Sequence, residues 1–114
     1  MPITIDRDWG IRLSAERLTR HLRDWTARYF LRVDMGRIDG MSESLPLDLS
    51  ALENPATRRE AMYAYVSCIY GQEDVDWRFI RSECCQGKEG TLRQVVIETA
   101  DQRRHMMWFQ TSSA

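Results

Sequence analysis

Lysine, histidine and cysteine are all scarce in this chain of 114 residues. Of 16 basic residues only Lys88 is a lysine, and there are two histidines and three cysteines. A formal net charge of −1 offers no bulk attraction to DNA, RNA or an anionic membrane, so we expect neither nucleic acid nor membrane as a partner. A structural zinc site needs about four paired cysteine or histidine ligands, which the spacing here does not supply. We therefore expect no metal and no cofactor.

Long apolar runs are also missing. No stretch approaches the ~20 apolar residues of a membrane span, and the first ten residues, MPITIDRDWG, lack the apolar core of a secretory signal. The odd cysteine count argues against a disulfide framework. The sequence therefore predicts one cytoplasmic domain, residues 1–114, with reduced thiols. A redox role for the adjacent Cys84 and Cys85 stays open.

Catalytic motifs are absent as well. Glycine-rich phosphate loops and a glycine-flanked nucleophilic serine do not occur. Cys84 and His105 fall on separate predicted strands, and no pattern specifies a nucleophile and base in contact. Asp74 and Asp76 lie at the predicted connection from the second helix to a strand, where aspartate is ordinary turn chemistry. We expect no catalytic residues and a protein that is not an enzyme.

The first predicted helix begins after the N-cap residue Ser14 and runs from about residue 15 to 34, ending before Gly36. Its apolar stripe has helical spacing. The stripe consists of Leu18, Leu22, Trp25 and Tyr29, with Ala15, Thr26 and Val33 beside it. The opposite face is rich in arginine: Arg17, Arg20, Arg23, Arg28 and Arg32. Because the aromatic residues lie on the apolar side, charge and rings do not interleave as in a base-stacking surface.

A second helix is predicted to start at Asn54-Pro55 and to end at Gly71. Its segment 61–70, AMYAYVSCIY, contains no charge and needs cover on several sides. The connector before it, residues 37–54, is expected to lie on the core through apolar anchors. The anchors are Leu45, Leu47, Leu49 and Leu52.

The last third of the chain alternates as strands do. This pattern predicts an antiparallel meander of three strands. It consists of a strand with Val75, Trp77 and Phe79, a turn at 86–90, a strand at 92–99, a turn at 100–102 and a strand at 103–111. The fold class is therefore α+β, two helices followed by three strands. A fourth edge strand, at Ile3 and Ile5, is left open. The strands carry apolar residues on both faces, so one face packs on the helices. The other is covered by the first helix or the N-terminal arm, or it is an interface.

Tryptophan, tyrosine, methionine and arginine, the residue types enriched at protein interfaces, are abundant here while lysine is depleted. The sequence therefore favours a non-enzymatic regulator that binds and inhibits another protein, as a homodimer. The predicted interface residues are Tyr63, Tyr65, Ser67, Tyr70, Met106, Trp108, Arg28 and Arg32. The alternative is a small enzyme or ligand-binding domain with an apolar pocket between the sheet and the second helix.

In its length, its order of elements and its arginine-rich composition, the chain resembles the small proteobacterial anti-activators of quorum sensing. That resemblance extends over all 114 residues and rests on no single motif. It implies sequestration of a LuxR-type transcription factor by occupation of its dimerisation surface, which prevents DNA binding. No site residue is transferred by the resemblance.

Overall fold

The computed structural model describes residues 9–32 and 37–112, which form two helices beside a four-stranded sheet. The elements are α1 (Ala15–Tyr29), β1 (Leu47–Asp48), α2 (Pro55–Tyr70), β2 (Trp77–Gln86), β3 (Thr91–Thr99) and β4 (Arg104–Gln110). This arrangement confirms the predicted α+β class.

Helix α1 has the predicted start and an earlier end. The Ser14 hydroxyl accepts a hydrogen bond from the Arg17 amide at 3.3 Å, which caps the first turn. The helix stops at Tyr29 because Phe30 adopts a left-handed conformation (φ 55°, ψ 36°) and donates its N–H to the Thr26 carbonyl. The prediction of a helix to residue 34 was therefore too long. Val33 and Gly36 lie outside the described residues.

Helix α2 matches its prediction at both ends. The Asn54 side chain accepts hydrogen bonds from the Ala56 and Thr57 amides, and Pro55 occupies the first helical position. At the other end the Gly71 N–H donates to the Ser67 carbonyl. Gly71 has φ 106°, a conformation that favours glycine and ends the helix.

The two helices lie antiparallel on one side of the sheet. The Cys68 thiol near the end of α2 contacts the His21 carbonyl in the first half of α1, and Arg28 at the end of α1 pairs with Glu60. The α1 stripe is buried as predicted. One core cluster joins it to α2 and to the facing side of the sheet. Its fully buried members include Leu18, Tyr65, Val66, Ile97, Met107 and Phe109.

The sheet has the strand order β1-β4-β3-β2. Strands β2, β3 and β4 pair antiparallel through the predicted turns, which confirms the meander. The fourth strand comes from the connector and not from the N-terminus. Leu47 and Asp48 pair parallel with Phe109 and Gln110, because burial of Leu47 draws the connector onto the sheet edge. The proposed arm strand at Ile3 and Ile5 lies outside the described residues.

Candidate functional site

The two faces of the sheet have different surroundings. Val95, Ile97, Met107 and Phe109 point towards the helices and are buried in the core. Their chain neighbours point the opposite way, because successive strand side chains alternate between faces. We call this opposite side the outer face. Its apolar residues in the register are Leu92, Val96, Met106 and Trp108; Ile80 lies beside them, at the β-bulge before Arg81 and outside the core cluster.

Both described helices lie on the inner side, so neither crosses the outer face. Met106 is 48% exposed, and Ile80 and Trp108 are half-buried. Val96, opposite Met106 in the register, is buried but does not belong to the core cluster under the helices. The outer face therefore presents an apolar centre that the described helices leave uncovered.

Charged side chains border this centre. Glu98 on β3 accepts hydrogen bonds from Arg78 on β2, the shortest at 2.8 Å, and lies 3.6 Å from Arg104 on β4. Arg81 and Glu83 follow along β2 and are exposed. Methionine, tryptophan and arginine, all present here, are among the residue types enriched at protein–protein interfaces.

Strand β2 forms one edge of the sheet, since it pairs only with β3 among the described strands. At Trp77, the first residue of β2, the free edge is partly occupied, because the Asp74 amide donates a hydrogen bond to the Trp77 carbonyl. In an antiparallel ladder, hydrogen-bonded and non-hydrogen-bonded residue pairs alternate. The hydrogen bonds Gly87–Gly90, Thr91–Thr111 and Thr99–Arg103 show which pairs are of which kind. Antiparallel pairing then directs the backbone N–H and C=O groups of residues 82, 84 and 86 away from β3. This edge can accept another strand.

Two predicted interface residues are placed in the core instead. Tyr65 is 0% exposed, and its hydroxyl donates to the Asp39 carbonyl at 2.6 Å. Tyr70 is buried against the ring of His105, at 5.0 Å between centroids. Burial raises the pKa of both phenols, that of Tyr65 in part through Asp39. The monomer therefore exposes none of Tyr65 and little of Tyr70.

The other predicted residues are scattered. Tyr63 is half-buried against Trp77 and Phe79, and Ser67 is half-buried on α2. Arg28 pairs with Glu60 at 3.0 Å, at the far end of α1. Arg32 is exposed beyond the end of that helix. Of the eight predicted residues, only Met106 and Trp108 share the outer face.

Sequence reasoning missed Ile80 and the free edge. The register of β2 shifts between Phe79 and Arg81, so one extra residue interrupts the alternation that would have assigned Ile80 to a face. The order of strands in a sheet depends on long-range packing. The polar and charged residues Arg81, Ser82, Glu83 and Gln86 could have indicated an edge strand, since edges tolerate such side chains.

A cavity of about 330 Å³ does lie between α2 and the sheet, where the alternative prediction placed a pocket. Its lining is not apolar as that prediction expected. Arg58 and Arg59 come from the start of α2 and Arg93 from β3. The reason is that the first turns of α2 carry polar residues, while its apolar segment starts at Ala61.

The structure does not bring Cys84 and His105, the candidate nucleophile and base, into contact. Cys84 lies opposite Arg93 and His105 opposite Ile97, so the two are separated along the sheet and by strand β3. The described residues contain no group of three or more His, Cys, Asp or Glu side chains suited to a metal ion. None of the described helices is long and apolar enough to cross a membrane.

Comparisons of the chain with protein-family models, with curated proteins and with solved structures find no match.

Proposed function

We propose that this chain is a non-enzymatic regulatory protein that binds another protein through the outer face of its sheet and blocks that partner's interaction surface. The observation that carries the proposal is an apolar centre in which Ile80, Met106 and Trp108 are partly exposed beside the buried Val96, on the side of the sheet that neither described helix covers. A partner that buries this centre gains hydrophobic free energy, and methionine adapts its shape to the contact.

The charges at the border favour a partner whose surface is mixed and not uniformly acidic. Arg78 and Arg104 are both engaged by Glu98, so that part of the border is close to neutral. Arg81 and Glu83, one of each sign, extend along β2. Such a border contributes specificity and orientation more than affinity. The resemblance to anti-activators makes the dimerisation surface of a LuxR-type transcription factor the first target to test.

Homodimerisation is the second part of the proposal, and the edge of β2 is the surface that fits it. Two antiparallel copies of β2 centred on Cys84 pair residues 82, 84 and 86, which all direct backbone groups outward. Centring on Glu83 instead would place two carboxylates opposite each other, which destabilises pairing. In a hydrogen-bonded antiparallel pair the two Cys84 Cα atoms lie about 5.5 Å apart, a separation that a disulfide spans.

The dimer is tested by mild oxidation of the dilute protein with diamide. We expect an intermolecular disulfide that Cys84→Ser abolishes and Cys85→Ser retains. Sedimentation of the reduced protein should show a concentration-dependent dimer. A reduced protein that sediments only as a monomer, with no preference for Cys84 in cross-linking, would rule out this interface.

Partner binding is tested with purified proteins. Met106→Glu and Ile80→Glu place a charge in the apolar centre and should abolish a stoichiometric complex with the partner. Phe30→Asp is the matched control, because Phe30 is a large exposed apolar residue outside the sheet. For a LuxR-type partner, the measurement is DNA binding by the transcription factor. The parent chain should prevent this binding, and the outer-face variants should not.

The sequence left two explanations of the outer face open: it is an interface, or the N-terminal arm covers it. A shortened chain without residues 1–8 tests the second explanation. If the apolar centre binds a partner, the shortened chain should bind at least as tightly as the full chain. A complex that survives both Met106→Glu and Ile80→Glu would show that the partner uses another surface, and the proposal would be wrong.

A further inference from the structure

We infer that the cavity between α2 and the sheet binds a small organic polyanion, one that carries a phosphate group or several carboxylates. The cavity holds about 330 Å³, within the range of small-molecule pockets and near its lower end. It lies on the helix side of the sheet, so it is separate from the outer face proposed to bind a protein.

Three arginines from two elements line this cavity. Arg58 and Arg59 lie in the first turns of α2, and Arg93 lies in β3. Arg93 donates to the Ser82 hydroxyl at 2.9 Å and to the Cys84 sulfur at 3.0 Å, while Arg58 donates to the Leu52 carbonyl at 3.0 Å. These contacts orient two of the guanidinium groups without neutralising them.

The three cavity arginines form a cluster of like charge. Several arginines elsewhere in the chain are paired with a carboxylate, as in Arg12–Asp101, Arg37–Asp39 and Arg78–Glu98. Within the described ranges, no aspartate or glutamate lies within ion-pair distance of any of the three cavity arginines. Like charges held together without a counterion repel, and a bound anion with at least two negative charges relieves that repulsion.

The helix N-terminus does not supply the anion site. The amides of Ala56 and Thr57 already donate to the Asn54 side chain. The binding groups are therefore side chains, in which arginine presents paired N–H donors that match the oxygens of phosphate or carboxylate. Hydroxyl groups of Ser82 and Thr111 add further polar lining.

The remaining lining favours an organic ligand over an inorganic ion. The rings of Tyr63 and Phe79 stand edge to face at 6.1 Å, and both line the cavity. Phe79 belongs to the inner side of the sheet, yet it is 37% exposed where it lines the cavity. An apolar or aromatic ligand body would bury this surface, with Leu49 and Met62 beside it.

The experiment measures binding of phenyl phosphate, inorganic phosphate and citrate by calorimetry and by the shift in melting temperature, against sodium chloride at equal ionic strength. We expect the multivalent anions to stabilise the protein beyond the chloride reference, and phenyl phosphate to bind more tightly than inorganic phosphate. If chloride binds and stabilises the protein as much as phosphate and citrate do, by calorimetry and by melting temperature, the proposal is overturned.

Arg59→Gln is the decisive variant, because Arg59 is exposed and its loss should not disturb the fold. It should weaken phenyl phosphate binding about tenfold, the effect of one charge-assisted hydrogen bond. Arg20→Gln, an equal loss of charge on the exposed face of α1, should leave binding unchanged. An equal loss in both variants would mean nonspecific attraction, and the site would be rejected. Met106→Glu should retain anion binding. A failure of the protein-binding proposal can therefore be distinguished from a failure of the anion site.

Discussion

The indole nitrogen of Trp25 donates a hydrogen bond to the main-chain carbonyl of Ala61, 2.9 Å away. The contact joins α1 to α2 at Ala61, which is fully buried in the core cluster. The same indole stands edge-on to the ring of Tyr65 at 5.1 Å, and Tyr65 stands edge-on to Phe109 at 6.1 Å. One aromatic chain therefore connects α1, α2 and strand β4.

Trp25→Phe should destabilise the protein by roughly 1–3 kcal/mol, because it removes the bond to Ala61 and part of a buried ring. Urea denaturation followed by circular dichroism measures the change. Trp108→Phe makes the same substitution on the half-exposed outer face and should cost less. Equal losses in the two variants would mean that the hydrogen bond between the helices contributes nothing measurable.

Phe30→Gly should stabilise the protein by about 0.5–1 kcal/mol. Phe30 ends α1 in a left-handed conformation that costs a residue with a side chain about 1 kcal/mol, and its ring is 94% exposed, so little burial is lost. Phe30→Ala is the matched control, since it removes the ring but keeps the steric cost. If the Phe30→Gly protein is no more stable than the Phe30→Ala protein, the assignment of a left-handed cap at this position is contradicted.

Acid should destabilise the fold through His105. The ring is buried beside Tyr70 and Thr99, and burial lowers its pKa below the ordinary value of 6.5, with Arg103 adding to the shift and Asp101 opposing it. The unfolded chain therefore binds a proton that the folded chain does not as the pH falls below 6.5. Stability should be constant above this value and should decrease below it.

Urea denaturation between pH 5 and 7.5 tests this expectation with two variants. His105→Gln should flatten the profile, whereas Phe30→Ala, which removes no titratable group, should keep the acid slope. A profile with the same acid slope in His105→Gln and in the parent protein would assign the titration to another group.

The three thiols should react at two different rates. Burial, with a smaller contribution from Asp24, raises the pKa of Cys68 to about 11, so at pH 8 about one thiol in a thousand is ionised. Cys84 and Cys85 are exposed on β2. A thiol-reactive disulfide reagent at pH 8 should modify two groups quickly and the third only slowly, and Cys68→Ser should remove the slow phase alone. In urea all three should react together.

Local signals in the sequence predicted most of the elements. Ser14, Asn54 and Pro55 define helix starts through contacts within four residues, and the buried stripe of α1 follows from its spacing. The end of α1 was missed because phenylalanine rarely adopts the conformation of Phe30. Strand β1 was missed because its two residues are held by pairing with Phe109 and Gln110, far along the chain.

The surfaces were harder to predict than the elements. Arg59 and Arg93 lie far apart in sequence, so no local pattern reveals that they share a cavity. Tyr65 and Tyr70 belong to a helical segment with no charge, and the sequence does not indicate which of its sides the sheet covers. The structure buries both tyrosines and leaves β2 as the exposed edge.

Met106 and Met107 test the assignment of the two sheet faces directly, because they are adjacent and point in opposite directions. Met107 is 0% exposed in the core beneath the helices, so Met107→Glu should cost roughly 3–5 kcal/mol or more by burying an unpaired charge. Met106 is 48% exposed on the outer face, so Met106→Glu should cost about 1 kcal/mol or less. Denaturation at low protein concentration, where a weak dimer dissociates, makes the comparison. Equal and large costs would mean that the outer face is covered within the monomer and is not available to a partner.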